Sequence, residues 1–457
     1  MVSANMVSST NEGTVVRGAD GGPSAVPPVR NGRGRRGIRS ALVSGSTRWR
    51  RWLMGGLAAT VVLLGAGCSS ASPIPGNAQA DEIHLGWPGD PRTSMAVDWH
   101  TDGSAPSNVA VEINGHWRRV RGHGPSPAPV GPGAYHEALI SGLRPATTYL
   151  YAVSGTDGFS PVHSFSTAPD GPASFGFDAF ADQGACIYNH AACRVIAGIA
   201  ADRPVFVLGA GDLSYTNEHG PATTDRWLND VAAYTAQAPL MPTVGNHEFP
   251  AGDPTGKYPD PISNYKGRFA LPNSNDEDYY SFDFADTHII ALPEIYVKLG
   301  QGSRFHTWLE ADLAAARTNP RIHWIVAFSH RPFYSTGQRH GPYIPFDRDE
   351  LPLLERYHVD LVISGHEHNY ERTLPLQVGK VTSHDLRKYV QGRGTIFVVT
   401  GGGGANIYND FGPLAPWDAV RAVRHEHLQM EVSGRTLSVV TISDFDKRID
   451  AFTISRR

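Results

Sequence analysis

Side chains of metal-binding type recur where short apolar runs of this sequence end. Asp182 follows "SFGFDAFA", Asp212 and Tyr215 close "PVFVLGAGDLSY", and Asn246 and His247 follow "APLMPTVG". His330 ends "RIHWIVAFSH", and His366 and His368 follow "VDLVISG". Carboxylate, imidazole and amide donors suit Fe, Zn or Mn better than Ca or a thiolate-bound metal. Asp182, Asp212, Tyr215, Asn246, His330, His366 and His368 are enough for two ions if one carboxylate bridges them. Each motif alone is weak, and His288 and His323 read as ordinary core or surface histidines. Tyr215 asks most of the site. A phenol titrates near pH 10, so it joins such a centre only beside a strongly acidic ion.

The elements needed to position these groups follow from the pattern between them. From Ser174 onward, apolar strands alternate with helical or irregular stretches, the signature of an α/β unit on a largely buried sheet. Sheets of that kind bind ligands beyond the carboxyl ends of their strands, and the polar motifs all stand there. "LQMEVSGRTLSVVTISDFDKRIDAFTI" at the C-terminal end returns to β-hairpins. Between about Asp81 and Pro169 the strands are short and alternating ("SMAVDWHT", "VAVEINGHWRRV", "TTYLYAVSG"), which predicts a small antiparallel β-sandwich. No metal or catalytic cluster falls in it, so a spacer and packing role is expected. The run "TGGGGAN" (400–406) lacks the Lys-Ser/Thr of a nucleotide P-loop and reads as a flexible turn near the site.

Bulk composition narrows the class. The 49 glycines and 34 prolines among 457 residues favour strands, turns and loops. Residues 1–67 hold nine arginines and two acids, while the remainder carries a net charge of −11. No nucleic-acid-binding surface is evident in that acidic body. The basic leader reads as an export signal. Arg50-Arg51 precede an apolar run, Leu53–Gly67, that is too short to span a bilayer. The arginine pair looks like a twin-arginine signal. "LLGAGC" resembles a lipoprotein processing site, with Cys68 lipidated; plain cleavage near "NAQA" (77–80) and release is the alternative. The expected location is extracytoplasmic, either lipid-anchored on the outer face of the membrane or secreted. An oxidising compartment would favour a disulfide between Cys186 and Cys193, against two free thiols.

All five metal motifs in this order resemble the metallophosphoesterase superfamily, and within it the purple acid phosphatases. "LISGLRPATTYLYAVSG" resembles a fibronectin type III module, with Leu143, Tyr149 and Tyr151 expected in its core. The resemblance implies an all-β, fibronectin III-like sandwich (81–169) followed by an αββα four-layer catalytic domain (172–457), after a leader (1–67) and a tether (68–80). It implies that Asp182, Asp212, Tyr215 and His368 hold Fe(III), and that Asp212, Asn246, His330 and His366 hold a divalent Fe, Zn or Mn, Asp212 bridging. His247 and His340 would face the substrate phosphoryl group. The activity implied is that of an exported acid phosphatase, hydrolysing phosphate monoesters by attack of a metal-bound hydroxide. Its rivals are a phosphodiesterase or nucleotidase on the same metals and, remotely, a non-catalytic surface binding protein. Specificity would reside in loops 252–274 and 335–348. Two departures stand out: Ala181 replaces the glycine usual before the first aspartate, and the loop after it carries the two cysteines.

Overall fold

The computed structural model describes residues 79–127, 133–220, 222–249, 262–272, 279–293 and 297–456. The expected export signal and the expected lipidation at Cys68, most of the tether and the Pro-rich stretch 250–261 lie outside them.

Two four-stranded sheets form the N-terminal sandwich. One runs in the order Ala80–Gly86, Ser94–Thr101, Ala134–Ser141, His123–Pro127, the other His116–Arg121, Asn108–Ile113, Thr148–Val153, His163–Ser166. The hairpin within "VAVEINGHWRRV" turns on Asn114 and Gly115, whose φ values of 54° and 76° are those of the tight turn that matches strand twist. Leu143, Tyr149 and Tyr151 are buried as expected.

The catalytic part is built on two seven-stranded sheets. In the first, Val207–Ala210 lies parallel between Phe175–Phe180 and Leu240–Thr243, and the C-terminal hairpins extend that sheet through Glu426–Ser433. In the second, Thr287–Ala291, Trp324–Phe328, Leu361–Ser364 and Ile396–Thr400 are all parallel. Strand Trp324–Phe328 shows why these segments read as unbroken apolar runs. Trp324, Val326 and Phe328 enter the main core, while Ile325 and Ala327 face a second core with Phe305, Leu309 and Leu313 of helix Arg304–Thr318. A strand covered on both faces has no polar side to show. Ser303 starts that helix by accepting the His306 amide, 3.0 Å away.

The sandwich is more than a spacer. Its core residues and those of the first catalytic sheet form one continuous cluster, and Trp87 packs within 6 Å of Phe206, Phe282 and Phe284. Tyr151 donates to the Ala236 carbonyl across the boundary (2.8 Å). Fully buried Arg268 reaches Glu82 of the sandwich at 2.8 Å.

Candidate metal centre

Every expected ligand sits just beyond the carboxyl end of a parallel strand. Asp182 follows Phe175–Phe180, Asp212 follows Val207–Ala210 and Asn246 follows Leu240–Thr243; His330 follows Trp324–Phe328, and His366 and His368 follow Leu361–Ser364. The backbone bends sharply to aim them. Asp182, Asp212, Tyr215 and His366 all hold φ between 50° and 71°, a region costly for residues other than glycine. Close neighbours must therefore be small. A Cβ on Gly245 would stand 2.2 Å from Asp212 Oδ1, and one on Gly365 would meet Asp182 Oδ2 at 2.4 Å and Ala181 Cβ at 2.5 Å. The extra methyl of Ala181 thus fits because the facing residue is glycine.

The donors fall into two groups. In one, Tyr215 Oη lies 3.0 Å from His368 Nε2 and 3.4 Å from Asp182 Oδ1, and His368 Nε2 is 3.3 Å from Asp182 Oδ1. In the other, His330 Nε2 lies 3.1 Å from Asp212 Oδ2, from Asn246 Oδ1 and from His366 Nδ1. The two histidines of "GHEH" serve opposite groups, as their alternation along an extended segment allows. His368 Nδ1 donates to the Asn406 carbonyl (2.7 Å), and His330 Nδ1 faces the Ala210 carbonyl (3.1 Å). Anchoring one ring nitrogen turns the other toward the centre.

These residues fit a metal. Ligand atoms of Asp212, His330 and His366 lie within 4.8 Å of one another, all buried. Asp212 Oδ2 accepts no hydrogen bond among the described residues. Because His330 Nδ1 already faces a carbonyl, its Nε2 contact with that oxygen is held either by a second ring proton or by a cation between them. Burial opposes ionisation of Asp212, yet His330 and His247 beside it bring its carboxyl below the usual range. Burial, followed by the nearby His330 and Arg331, pushes His366 far down, which keeps its ring neutral as a ligand must be. Burial opposes protonation of His368, and Asp182 outweighs it, raising that ring. Burial, with Asp182 and Asp212 close by, raises the Tyr215 phenol well above its ordinary value.

The two expected substrate histidines flank this centre. His247 packs on the Tyr215 ring at 4.4 Å, its Nε2 3.8 Å from Asp212 Oδ2 and its Nδ1 2.6 Å from Asn217 Oδ1. His340 is exposed and stacks on His366 at 4.1 Å. His288 and His323 are paired with acids away from this cluster, at 2.6 Å to Asp283 and 2.8 Å to Asp286.

Three acids that the motif reading passed over hold the loops in place. Glu248 of "GNHE" accepts the amides of Asp212, Leu213 and Gly245 at 2.7–2.9 Å; burial and Asp212 raise it to about 8. Glu367 of "GHEH" accepts the amides of His340 and Gly341, both at 2.6 Å. Glu371 accepts the Thr336 amide at 2.7 Å and the Ser335 hydroxyl at 2.5 Å. The only advance signal was the acid inside each His motif, which covers Glu248 and Glu367 and leaves Glu371 without one. Arg331, beside His330, places a guanidinium nitrogen 3.0 Å from His366 Nε2. The glycine run does lie near the site, but as a tightly packed loop. Gly403 donates to the Ala181 carbonyl (3.0 Å), Ala405 donates to the Asp182 carbonyl (2.8 Å), and a Cβ on Gly403 would meet that Ala181 oxygen at 2.2 Å.

Comparison with known proteins agrees with this geometry. Residues 180–370 match the calcineurin-like phosphoesterase family, and residues 80–167 match the purple acid phosphatase N-terminal domain. Mouse acid phosphatase type 7 is 29% identical over 397 residues, covering 80% of this chain and 87% of its own. Purple acid phosphatase 22 of Arabidopsis thaliana is 34% identical over 251 residues, 52% of this chain and 54% of that one. The structure of a purple acid phosphatase from yellow lupin seeds superposes with a TM-score of 0.72 at 23% identity, over 82% of this chain and 74% of that chain, and shows the shared fold. With both domains matched and the donors assembled at the strand ends, the chain belongs to the purple acid phosphatase family of metallophosphoesterases, hydrolases of phosphoric esters that work with a dinuclear metal centre.

Proposed function

We propose that this enzyme is an exported acid phosphatase acting on phosphate monoesters, with Fe(III) and a divalent Fe, Zn or Mn as its metals. The observation that carries the proposal is the paired donor set, with two histidines on its rim. Asp182, Tyr215 and His368 would hold the ferric ion, Asn246, His330 and His366 the divalent one, and Asp212 would bridge. When bound, such a pair supplies Lewis acidity toward phosphoryl oxygens and a strong nucleophile from water.

The remaining chemistry belongs to the chain. His247 is oriented by Asn217, whose oxygen can only accept, so Nδ1 carries the proton and Nε2 faces the centre. With its ring doubly protonated, so that Nε2 also carries a proton, His247 would donate to the phosphoryl oxygens and pass that proton to the departing alkoxide. His340, stacked on His366, would be a second group facing the phosphoryl. Tyr215 supports the choice of a trivalent ion. Its buried phenol resists ionisation beside two carboxylates, and a strongly acidic cation on its oxygen offsets that resistance. Export draws support from the Cys186–Cys193 disulfide, whose Cα atoms are 5.0 Å apart; such bonds persist in oxidising compartments. Lipidation of Cys68 remains part of the proposal.

The test is hydrolysis of a matched aryl phosphate monoester and diester by the purified, metal-loaded enzyme at acid and neutral pH. A kcat/KM at least about tenfold higher for the monoester at acid pH, about 1.4 kcal/mol of discrimination, is expected. A preference for the diester would keep the metals and replace the substrate class.

A further inference from the structure

The loop closed by Cys186 and Cys193 has no assigned role, and it lies against the segment that holds His247. Tyr188, in this loop, stacks on His219 with ring centroids 3.9 Å apart and planes 11° from parallel. His219 is the last residue of the short helix Thr216–His219. Within that helix Asn217 Oδ1 takes the His247 Nδ1 proton at 2.6 Å, and Glu218 Oε1 lies 3.5 Å from the same nitrogen.

We propose that Tyr188 is a positioning residue for His247, and that the disulfide loop fixes that substrate histidine through the Tyr188–His219 stack and Asn217. The proposal rests on the reading of His247 as a substrate-facing group.

The loop is suited to this task because Tyr188 is held on both sides. The Cys186 amide donates to Asp230 Oδ2 at 2.8 Å, and the Tyr188 amide donates to the Ala185 carbonyl at 3.1 Å. Asn189 caps helix His190–Asp202 by accepting the Ala191 amide at 2.9 Å, and Cys193 lies in that helix. The disulfide therefore ties the start of the loop to a rigid element. The held helix is only four residues long and ends at Gly220, whose φ of 87° marks a sharp reversal. So short a helix has little stability of its own. At its first residue the Thr216 hydroxyl meets those of Ser214 (2.8 Å) and Thr224 (2.6 Å). The stack secures the last turn, next to Asn217. Tyr188 keeps this ring contact while 45% exposed.

The test compares Tyr188→Ala and Tyr188→Phe in the metal-loaded enzyme, with and without His247→Ala. Substrates are an aryl phosphate and an alkyl phosphate, whose poorer leaving group depends more on a proton donor. Tyr188→Ala is expected to lower kcat for the alkyl ester about fivefold to tenfold, the scale of a lost ring contact, with a smaller loss for the aryl ester. KM and metal content should hold, and Tyr188→Phe should restore the rate. On the His247→Ala background the same substitution should have no further effect, because coupled residues are not additive. Replacing Cys186 and Cys193 together by serine, which opens the loop without a reductant reaching the ferric ion, should slow the parent enzyme to the Tyr188→Ala rate and add nothing to that variant. Equal losses with and without His247, or a loss of metal, would overturn the proposal. If His247→Ala alone leaves turnover intact, it is the substrate-facing assignment of His247 that fails.

Discussion

Asp212 and Tyr215 carry the account at the scale of single residues, three positions apart on one loop and both in the left-handed region. Asp212 Oδ2 has a ring nitrogen at 3.1 Å and no hydrogen bond among the described residues; Tyr215 Oη touches His368 and Asp182. If the phenolate binds Fe(III), Tyr215→Phe in the iron-loaded protein removes the visible absorption band and leaves the far-ultraviolet circular dichroism unchanged. A band of undiminished intensity would contradict the ferric-tyrosinate assignment. The ligand types were legible in the sequence, because each stands at the end of an apolar run. The roles of Glu248, Glu367 and Glu371 were not, since what they bind is backbone amide and an amide carries no signature in the residue alphabet.

Loops are the elements that bring these groups together. Glu367 joins the "GHEH" segment to the turn bearing His340, and Glu371, four residues on, takes the preceding residues of that turn. The Glu367→Ala variant should lose about 10- to 100-fold in kcat/KM for a monoester, as supporting contacts around metal sites commonly do. KM should carry most of the change, and metal content measured by atomic emission should stay near that of the parent. Unchanged kinetics would mean that the turn holds its shape without the acid. Strand positions were readable from apolar runs covered on both faces. The packed state of "TGGGG" was not, because a glycine run looks the same in sequence whether it is loose or pressed against another backbone. Here Gly401, Gly403 and Gly404 each approach a carbonyl too closely for any side chain.

At the scale of the whole molecule, the sandwich and the catalytic sheets share one core, locked by a buried polar cluster. Arg268 contacts Glu82 at 2.8 Å and Asp225 at 2.5 Å, with Tyr135 bonded to Glu82. Burial raises the Glu82 carboxyl from 4.5 to about 7, despite Arg268 beside it. Between those values the folded chain keeps a proton that the unfolded chain has released. The stability this group gives at low pH is therefore lost as pH rises toward about 7. Glu82→Gln cannot release that proton, so its unfolding free energy, measured by urea titration, should fall less than the parent's between pH 4.5 and 7. Parallel curves would remove Glu82 as the cause. Both architectures were legible from strand length and alternation, but this lock was not. Glu82 and Arg268 stand 186 residues apart, and only the assembled fold brings them together.

The central claim is that one set of side chains holds two metal ions with Asp212 between them. Anomalous-difference maps from crystals of the metal-loaded protein, recorded above the manganese, iron and zinc edges in turn, test it most directly. Two peaks about 3.5–4 Å apart on either side of Asp212 Oδ2, the iron beside Tyr215 and His368, are the result predicted. A single peak, or two that do not share Asp212, would contradict it.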